Sequence, residues 1–250
     1  MKVARSKASR KRHVQQELFK RGGKRKGAGR KPKGKRAGEA HEGRPTIKPY
    51  HALHVVMRVV EAVGNLRRRS MYKAVRDASV VAAVRERFRI VHLSIQGTHI
   101  HMLAEAKDAE ALASGMQGFA ISVARNINTM LGPDRYRRRR GKVFSDRYHV
   151  EVIRSPKQAR NTLSYVLNNW RKHREDQAGL PATWLVDPFS SGISFPDWKE
   201  MEGRELMWPI RDGYEPLMVR RPACWLWREG WKRAGTVSAL EVPSKRAQMR

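Results

Sequence analysis

The chain has 250 residues and a formal net charge of +30, from 53 lysine and arginine residues against 23 aspartate and glutamate residues. A charge of this size favours a polyanionic partner, most commonly nucleic acid, over an acidic scaffold or a typical small-molecule enzyme. The single cysteine, Cys224, excludes disulfide frameworks and cysteine-based zinc sites within one chain.

The first 45 residues form a strongly basic segment with 17 lysine and arginine residues and only three acidic ones. Its stretch Gly22–Gly34 reads GGKRKGAGRKPKG and has no apolar periodicity. We therefore predict that residues 1–45 are a disordered arm. Lys24, Arg25 and Lys26 are its candidate DNA contacts.

Seven predicted elements follow in the order β-α-β-β-α-β-α. The first four are a strand at His51–Val60, a helix at Leu66–Phe88, and two strands at Ile90–Ile95 and His99–Ala104. The last three are a helix at Asp108–Leu131, a strand at Lys142–Ile153, and a helix from Pro156 to about His173. This order predicts an α+β fold, a ferredoxin-like split βαβ sheet with its helices on one face.

Composition changes again after Gly179, where six of the seven tryptophans lie among repeated prolines. We predict a catalytic domain at residues 46–178 and an irregular Trp/Pro-rich extension, packed on that domain, at 179–236. Residues 237–250 are predicted to be a frayed tail. No apolar run reaches roughly 18 residues and no signal segment is recognisable, so we expect a cytoplasmic, nucleoid-associated protein with no membrane partner.

The strand at His99–Ala104 begins His99-Ile100-His101. Alternate strand residues project from one face, so the two imidazoles point the same way while Ile100 enters the core. Tyr165 and Asn169 are four apart on the last helix and therefore share a helix face. Each pair alone is ordinary, but their occurrence together in one split βαβ unit indicates a site.

The chemistry of such a site is phosphoryl transfer assisted by a metal ion. His99, His101, Asn169 and phosphate oxygens can together hold a divalent cation, Mg²⁺ or Mn²⁺. The cation polarises a scissile phosphate, and Tyr165 attacks phosphorus as the nucleophile. Asn168 is the adjacent competitor for the ligand role, with a poorer helical phase relative to Tyr165.

The ordered set of motifs resembles the HUH single-tyrosine transposases, within them the REP-associated tyrosine transposases. The resemblance is carried by VHLSIQGTHIHMLAEA, GKVFSDRYHVEVI and NTLSYVLNNWRKH, with further similarity in VDPFSSG, CWLWREGW and the basic arm. It implies an endonuclease and strand transferase that cuts single-stranded DNA beside a hairpin, such as a repetitive palindromic sequence. It also implies a 5′-phosphotyrosine intermediate formed by Tyr165, with His99, His101 and Asn169 as metal ligands.

Several other residues are candidates for contact with DNA or for packing. Arg137, Arg138, Arg139, Arg140 and Arg147 are candidate DNA-backbone contacts. Tyr148 is read as a packing or base-stacking residue rather than the nucleophile. His54, His92 and His149 are read as ordinary histidines, and Glu105 as a possible partner of the histidine pair.

Two other functions and two assembly states stay open at this stage. A domesticated, non-catalytic nucleic-acid-binding regulator with the same fold explains the charge equally well. An RNA-binding structural protein explains the arm but not the site. The sequence fits either a monomer or a homodimer.

Overall fold

Four strands form one antiparallel sheet in the order β2-β3-β1-β4. They are β1 (Ala52–Arg58), β2 (Phe88–Ile95), β3 (His99–Ala106) and β4 (His149–Ile153), and the helices are α1 (Arg69–Ala83), α2 (Ala109–Met130), α3 (Pro156–Lys172) and the short α4 (Trp225–Arg228). The computed structural model describes residues 45–134, 137–177, 184–201 and 212–243. The predicted split βαβ sheet is confirmed, and nearly all of the predicted basic arm lies outside the described residues.

One face of the sheet is covered by the two crossover helices, α1 and α2. Leu53 and Val55 of β1 and Met102 of β3 pack there against α1 and α2 side chains such as Val75 and Phe119. The backbone of α2 approaches β2 closely, because Gly115 of α2 lies directly over Phe88 of β2. Removal of these apolar groups from water is the main favourable term for this layer.

The opposite face carries α3, so the prediction of helices on one face holds for α1 and α2 only. Leu103 and Ile153 of the sheet pack there against Leu163 and Val166 of α3. The physical reason is that β2 and β3 are buried along almost their whole length, which requires cover on both faces. Ser155 begins α3 by accepting a hydrogen bond from the backbone N–H of Gln158, and Pro156 occupies the first turn.

Two predicted element boundaries differ from the structure. The predicted helix to Phe88 ends instead at Ala83, because Phe88 is buried in β2 opposite Ala106. The predicted strand Lys142–Ile153 is regular only from His149. Within the irregular part, the Asp146 side chain accepts a hydrogen bond from the backbone N–H of Arg147, which competes with sheet pairing.

The described C-terminal residues, 184–201 and 212–243, add a second layer over α3. Trp198, Trp227 and Trp231 are buried in the same core as α3. Val237 and Ala239 are also fully buried, which differs from the predicted frayed tail. Both side chains enter this core, because they are two positions apart and point to the same side. The segment is also held by Arg171 of α3, which donates a hydrogen bond to the Ala239 carbonyl at 2.6 Å.

Two buried carboxylates tie the C-terminal segment to the rest. The Asp187 carboxylate receives two hydrogen bonds of 2.9 Å from the Arg67 guanidinium, which also pairs with Glu175 at 2.6 Å. Glu105 of β3 accepts hydrogen bonds from the backbone N–H groups of Ala223 and Cys224, at 2.9–3.0 Å. Glu105 therefore binds the start of α4 and is not a partner of the histidine pair.

Among the described residues, no helix combines the length and the apolar character needed to cross a bilayer.

Candidate functional site

The imidazoles of His99 and His101 lie side by side on the face of the sheet that α3 covers. Their Nε2 atoms are 2.9 Å apart and their ring centroids 4.6 Å apart. The Tyr165 ring of α3 meets the His101 ring edge-on, with 5.2 Å between centroids. The structure thus brings together three side chains that the sequence singled out, from β3 and from the helix that packs over it.

Asn169 lies one turn after Tyr165 on α3 and is fully buried. Neither its amide nitrogen nor its amide oxygen has a hydrogen-bond partner among the described residues. Asn168, the competitor, donates a 2.8 Å hydrogen bond to the Ser238 carbonyl and so holds the C-terminal segment. A buried amide without a partner is costly. The Asn168 amide oxygen also lacks a partner among the described residues, so Asn169 differs in having neither amide atom paired, which makes it the better candidate for an oxygen ligand.

Both imidazoles of the pair are uncharged at neutral pH. Burial, with Arg58 and His173 nearby, lowers the pKa of His99 to about 4. Burial, followed by the neighbouring His54 and His99, lowers the pKa of His101 well below its ordinary value. A neutral imidazole is the form that ligates metals, because it keeps a lone pair on one ring nitrogen.

The donor set fits a divalent cation that also binds substrate. Across the described ranges, no group of three or more His, Cys, Asp or Glu side chains is arranged for a metal ion. The side chains that could hold a cation here are His99 and His101 through their Nε2 atoms and Asn169 through its amide oxygen, with substrate or water oxygens completing the shell. Mixed nitrogen and oxygen ligation suits Mn²⁺ and permits Mg²⁺.

His54 of β1 is a further member of the site that the sequence reading missed. It is buried, and its Nε2 lies 3.1 Å from Nδ1 of His101. Its pKa is lowered to about 4 by burial and by His149 and His99. Sequence spacing gave it no partner, but the split βαβ order makes β1 and β3 neighbours, and that order was the available signal.

Positive charge surrounds the nucleophile candidate. The Lys172 ammonium, in the last turn of α3, lies 4.8 Å from the centre of the Tyr165 ring. Arg58 and His173 are close enough to disfavour protonation of His99. Because the imidazoles are neutral, Lys172 and Arg58 supply the fixed positive charge next to the site.

The arginines predicted to contact DNA have different surroundings. Arg137, Arg138 and Arg140 are exposed on the segment after α2, and Arg137 pairs with Asp134 at 2.9 Å. Arg139 instead bonds the end of α2, since its guanidinium donates to the Asn128 side chain at 2.9 Å. Arg147 is half-buried beside Tyr148, on the edge of a cavity of about 280 Å³.

None of the contacts named for these arginines involves His99 or His101. The remaining candidates, Lys24, Arg25 and Lys26, lie outside the described residues.

Comparison with known proteins gives one family and two similar structures. Residues 48–169 match the family model described as IS200-like transposase. A solved REP-associated tyrosine transposase bound to a REP hairpin is 14% identical and covers 74% of this chain and 100% of its own, with a TM-score of 0.46. A putative transposase from Deinococcus radiodurans R1 is 13% identical and covers 56% and 99%, with a TM-score of 0.34. No protein with curated function matches the chain.

Proposed function

We propose that the chain, whose residues 48–169 match the family model of IS200-like transposases, cuts and rejoins single-stranded DNA at hairpins by means of Tyr165. The family match supports a transposase-like, DNA-binding function. The finer assignment is a metal-dependent endonuclease and strand transferase of the REP-associated branch. Asn169 and the segments VDPFSSG and CWLWREGW support that branch.

One observation carries the proposal: the Tyr165 ring lies 5.2 Å from the ring of His101, which in turn lies 2.9 Å, Nε2 to Nε2, from His99. All three side chains come from one polypeptide. A nucleophile beside two neutral imidazoles, within a strongly cationic chain, is the arrangement that transfer of a DNA phosphate requires.

The proposed step exchanges one phosphate ester for another. The Tyr165 phenol oxygen attacks phosphorus, the bond from phosphorus to the 3′ oxygen breaks, and the phenol proton passes through water to the departing 3′ oxygen. A 5′-phosphotyrosine and a free 3′-OH result. Attack by a 3′-OH reverses the step and joins new ends, and no ATP is consumed because the ester is conserved.

The surrounding side chains have distinct roles in this proposal. His99, His101 and Asn169 would hold Mg²⁺ or Mn²⁺, which when bound supplies positive charge to the scissile phosphate. Lys172, whose ammonium lies 4.8 Å from the centre of the Tyr165 ring, would supply positive charge to the phosphate as the bond forms.

The test is formation of a covalent protein–DNA adduct. The full chain is incubated with Mn²⁺ and end-labelled single strands carrying the hairpins that flank its gene, and the adduct is resolved on a denaturing gel. We expect an adduct with the native chain and with the matched control Tyr148→Phe. Tyr165→Phe should form none, yet bind the same hairpins with unchanged affinity.

An adduct formed by Tyr165→Phe would reject the assigned nucleophile. If the native chain binds hairpins but forms no adduct with any of them, the non-catalytic regulator is the better account. Preference for RNA over single-stranded DNA hairpins in competition would instead favour an RNA-binding protein. Cytoplasmic, nucleoid-associated action and a monomeric or homodimeric state remain predictions of the same proposal.

A further inference from the structure

His54 occupies a position from which it can control His101. In the register of β1 and β3, His54 lies opposite Leu103 and His101 opposite Val56, so the two histidines are diagonal neighbours on one face. Both side chains are buried, with ring centroids 5.3 Å apart and planes inclined by 20°. The Nε2 of His54 and the Nδ1 of His101 are 3.1 Å apart, which is hydrogen-bond distance.

The direction of this hydrogen bond decides which nitrogen of His101 is available to a metal. A neutral imidazole has one N–H and one lone pair. If His101 donates from Nδ1, its Nε2 keeps a lone pair directed at His99. If His54 donates instead, the His101 proton is on Nε2, where it blocks ligation. Only the first arrangement gives a metal-binding pair.

Two carboxylates of the described strands lie on this face, Glu105 and Glu151, and each is hydrogen-bonded to a group other than His101. Both oxygens of Glu105 accept from the backbone N–H groups at residues 223 and 224. Glu151, which lies opposite His54 in β4, accepts a 2.8 Å hydrogen bond from Gln158. The hydrogen-bond partner of His101 Nδ1 is therefore another imidazole, that of His54, rather than the carboxylate or carbonyl that commonly orients a ligating histidine.

We propose that His54 is a positioning residue that accepts a hydrogen bond from Nδ1 of His101 and thereby holds its Nε2 lone pair towards His99 for a divalent cation. This inference rests on the proposed function, since it deepens the assignment of the metal ligands. The inference gives His54 a second role, besides packing its ring against Tyr165 of α3 at 6.3 Å between centroids.

The test measures Mn²⁺ affinity of the full chain without DNA, by electron paramagnetic resonance of the free ion. His54→Asn and His54→Phe remove an acceptor at the Nε2 position and should weaken binding about tenfold or more. His54→Gln, whose amide oxygen can occupy the place of Nε2, should stay within about threefold of the native chain. His92→Gln is the matched control, a buried histidine on the same face that contacts Ser191 instead, and should bind as the native chain does.

Two further measurements make failure of the inference distinct from failure of the proposed metal site. His99→Ala should abolish Mn²⁺ binding; native binding that does not depend on His99 would reject the metal site itself. If binding depends on His99 but His54→Asn and His54→Phe bind as tightly as the native chain, the positioning role is wrong. Circular dichroism checks that each variant folds, and His54→Gln against His54→Asn compares two side chains of the same chemistry.

Nitrogen-15 spectra of the metal-free native chain test the hydrogen bond without any variant at position 54. The His101 signals, assigned with His101→Gln, should show the proton on Nδ1. A His101 proton on Nε2 would overturn the inference.

Discussion

Asn168 and Asn169 are adjacent on α3 but differ in what their amides contact. Asn168 donates to the Ser238 carbonyl, whereas the buried amide of Asn169 has no partner among the described residues. Leucine has a similar volume but no polar atoms. The same substitution at the two positions therefore separates a structural role from a ligand role.

We expect Asn168→Leu to lower the free energy of unfolding by about 1–3 kcal/mol, because it leaves the Ser238 carbonyl without its donor. Asn169→Leu should leave stability nearly unchanged or slightly higher, while weakening Mn²⁺ binding. Urea unfolding and Mn²⁺ titration of both variants check this. The reverse pattern would assign the ligand role to Asn168.

His92 gives a stability prediction at low pH. Burial lowers its pKa from 6.5 to about 4, so between these pH values the unfolded chain binds the proton more readily than the folded chain does. Stability attributable to His92 is therefore full above pH 6.5 and is lost as the pH falls towards 4, by about 3 kcal/mol in total. His92→Gln should flatten the fall in stability between pH 7 and pH 4, measured by urea unfolding at several pH values. Parallel curves for variant and native chain would contradict the prediction.

The residues of the site were predictable where the members of a pair lie within four positions of each other in the sequence. His-x-His on a strand and Tyr165 with Asn169 on a helix follow from the two periodicities of the backbone. His54 was not predictable in this way, because its partner lies 47 residues along the chain. Finding it required the sheet order and the register, which no local pattern contains.

At the scale of elements, α2 shows how a single glycine sets the distance between a helix and the sheet. A Cβ added at Gly115 would lie 2.8 Å from Cβ of Phe88 and closer still to its buried ring. At Gly118, one turn later, the added Cβ would meet only the flexible end of the Arg85 side chain. Both glycines lie within α2. A Cβ at Gly115 would meet a buried ring that cannot move, whereas a Cβ at Gly118 would meet a side-chain end that can.

Gly115→Ala should therefore destabilise the protein by about 1–3 kcal/mol through overpacking. Gly118→Ala should be neutral or stabilising by up to about 1 kcal/mol, since alanine has the higher helix propensity. Thermal unfolding of the two variants against the native chain measures the difference. Equal melting temperatures for the two variants would show that α2 can shift away from β2 at little cost.

Element order was predictable from hydrophobic periodicity and caps, whereas some element lengths and one helix face were not. Asp108 and Ser155 cap α2 and α3 close to the predicted starts. The irregular stretch before β4 arises from a side chain–backbone hydrogen bond at Asp146, which periodicity does not detect. The position of α3 on the opposite face depends on the exposed apolar surface that α1 and α2 leave uncovered, a property of the assembled sheet.

At the scale of the whole molecule, the net charge of +30 predicts binding to single-stranded DNA that weakens steeply with salt. We expect the slope of log affinity against log salt to fall by about 0.7 for each contacting cation removed. Replacing Lys24, Arg25 and Lys26 together by Gln should lower the slope by about 2, and replacing the exposed Arg138 and Arg140 together should lower it by about 1.4.

Arg87→Gln is the control for this salt titration, because the Arg87 guanidinium is already paired with Asp108 at 2.7 Å. Its slope should equal that of the native chain. An unchanged slope after either multiple replacement would remove that group from the DNA contacts.

The bond between Glu105 and the backbone at residues 223 and 224 has a consequence for how the protein is made. A carboxylate in the middle of the sheet acquires its donors only from residues more than a hundred positions later. While the nascent chain is still on the ribosome, Glu105 must stay hydrated, because a charge withdrawn from water without donors is costly. This part of β3 can therefore reach its final state only after residues 223 and 224 have left the exit tunnel.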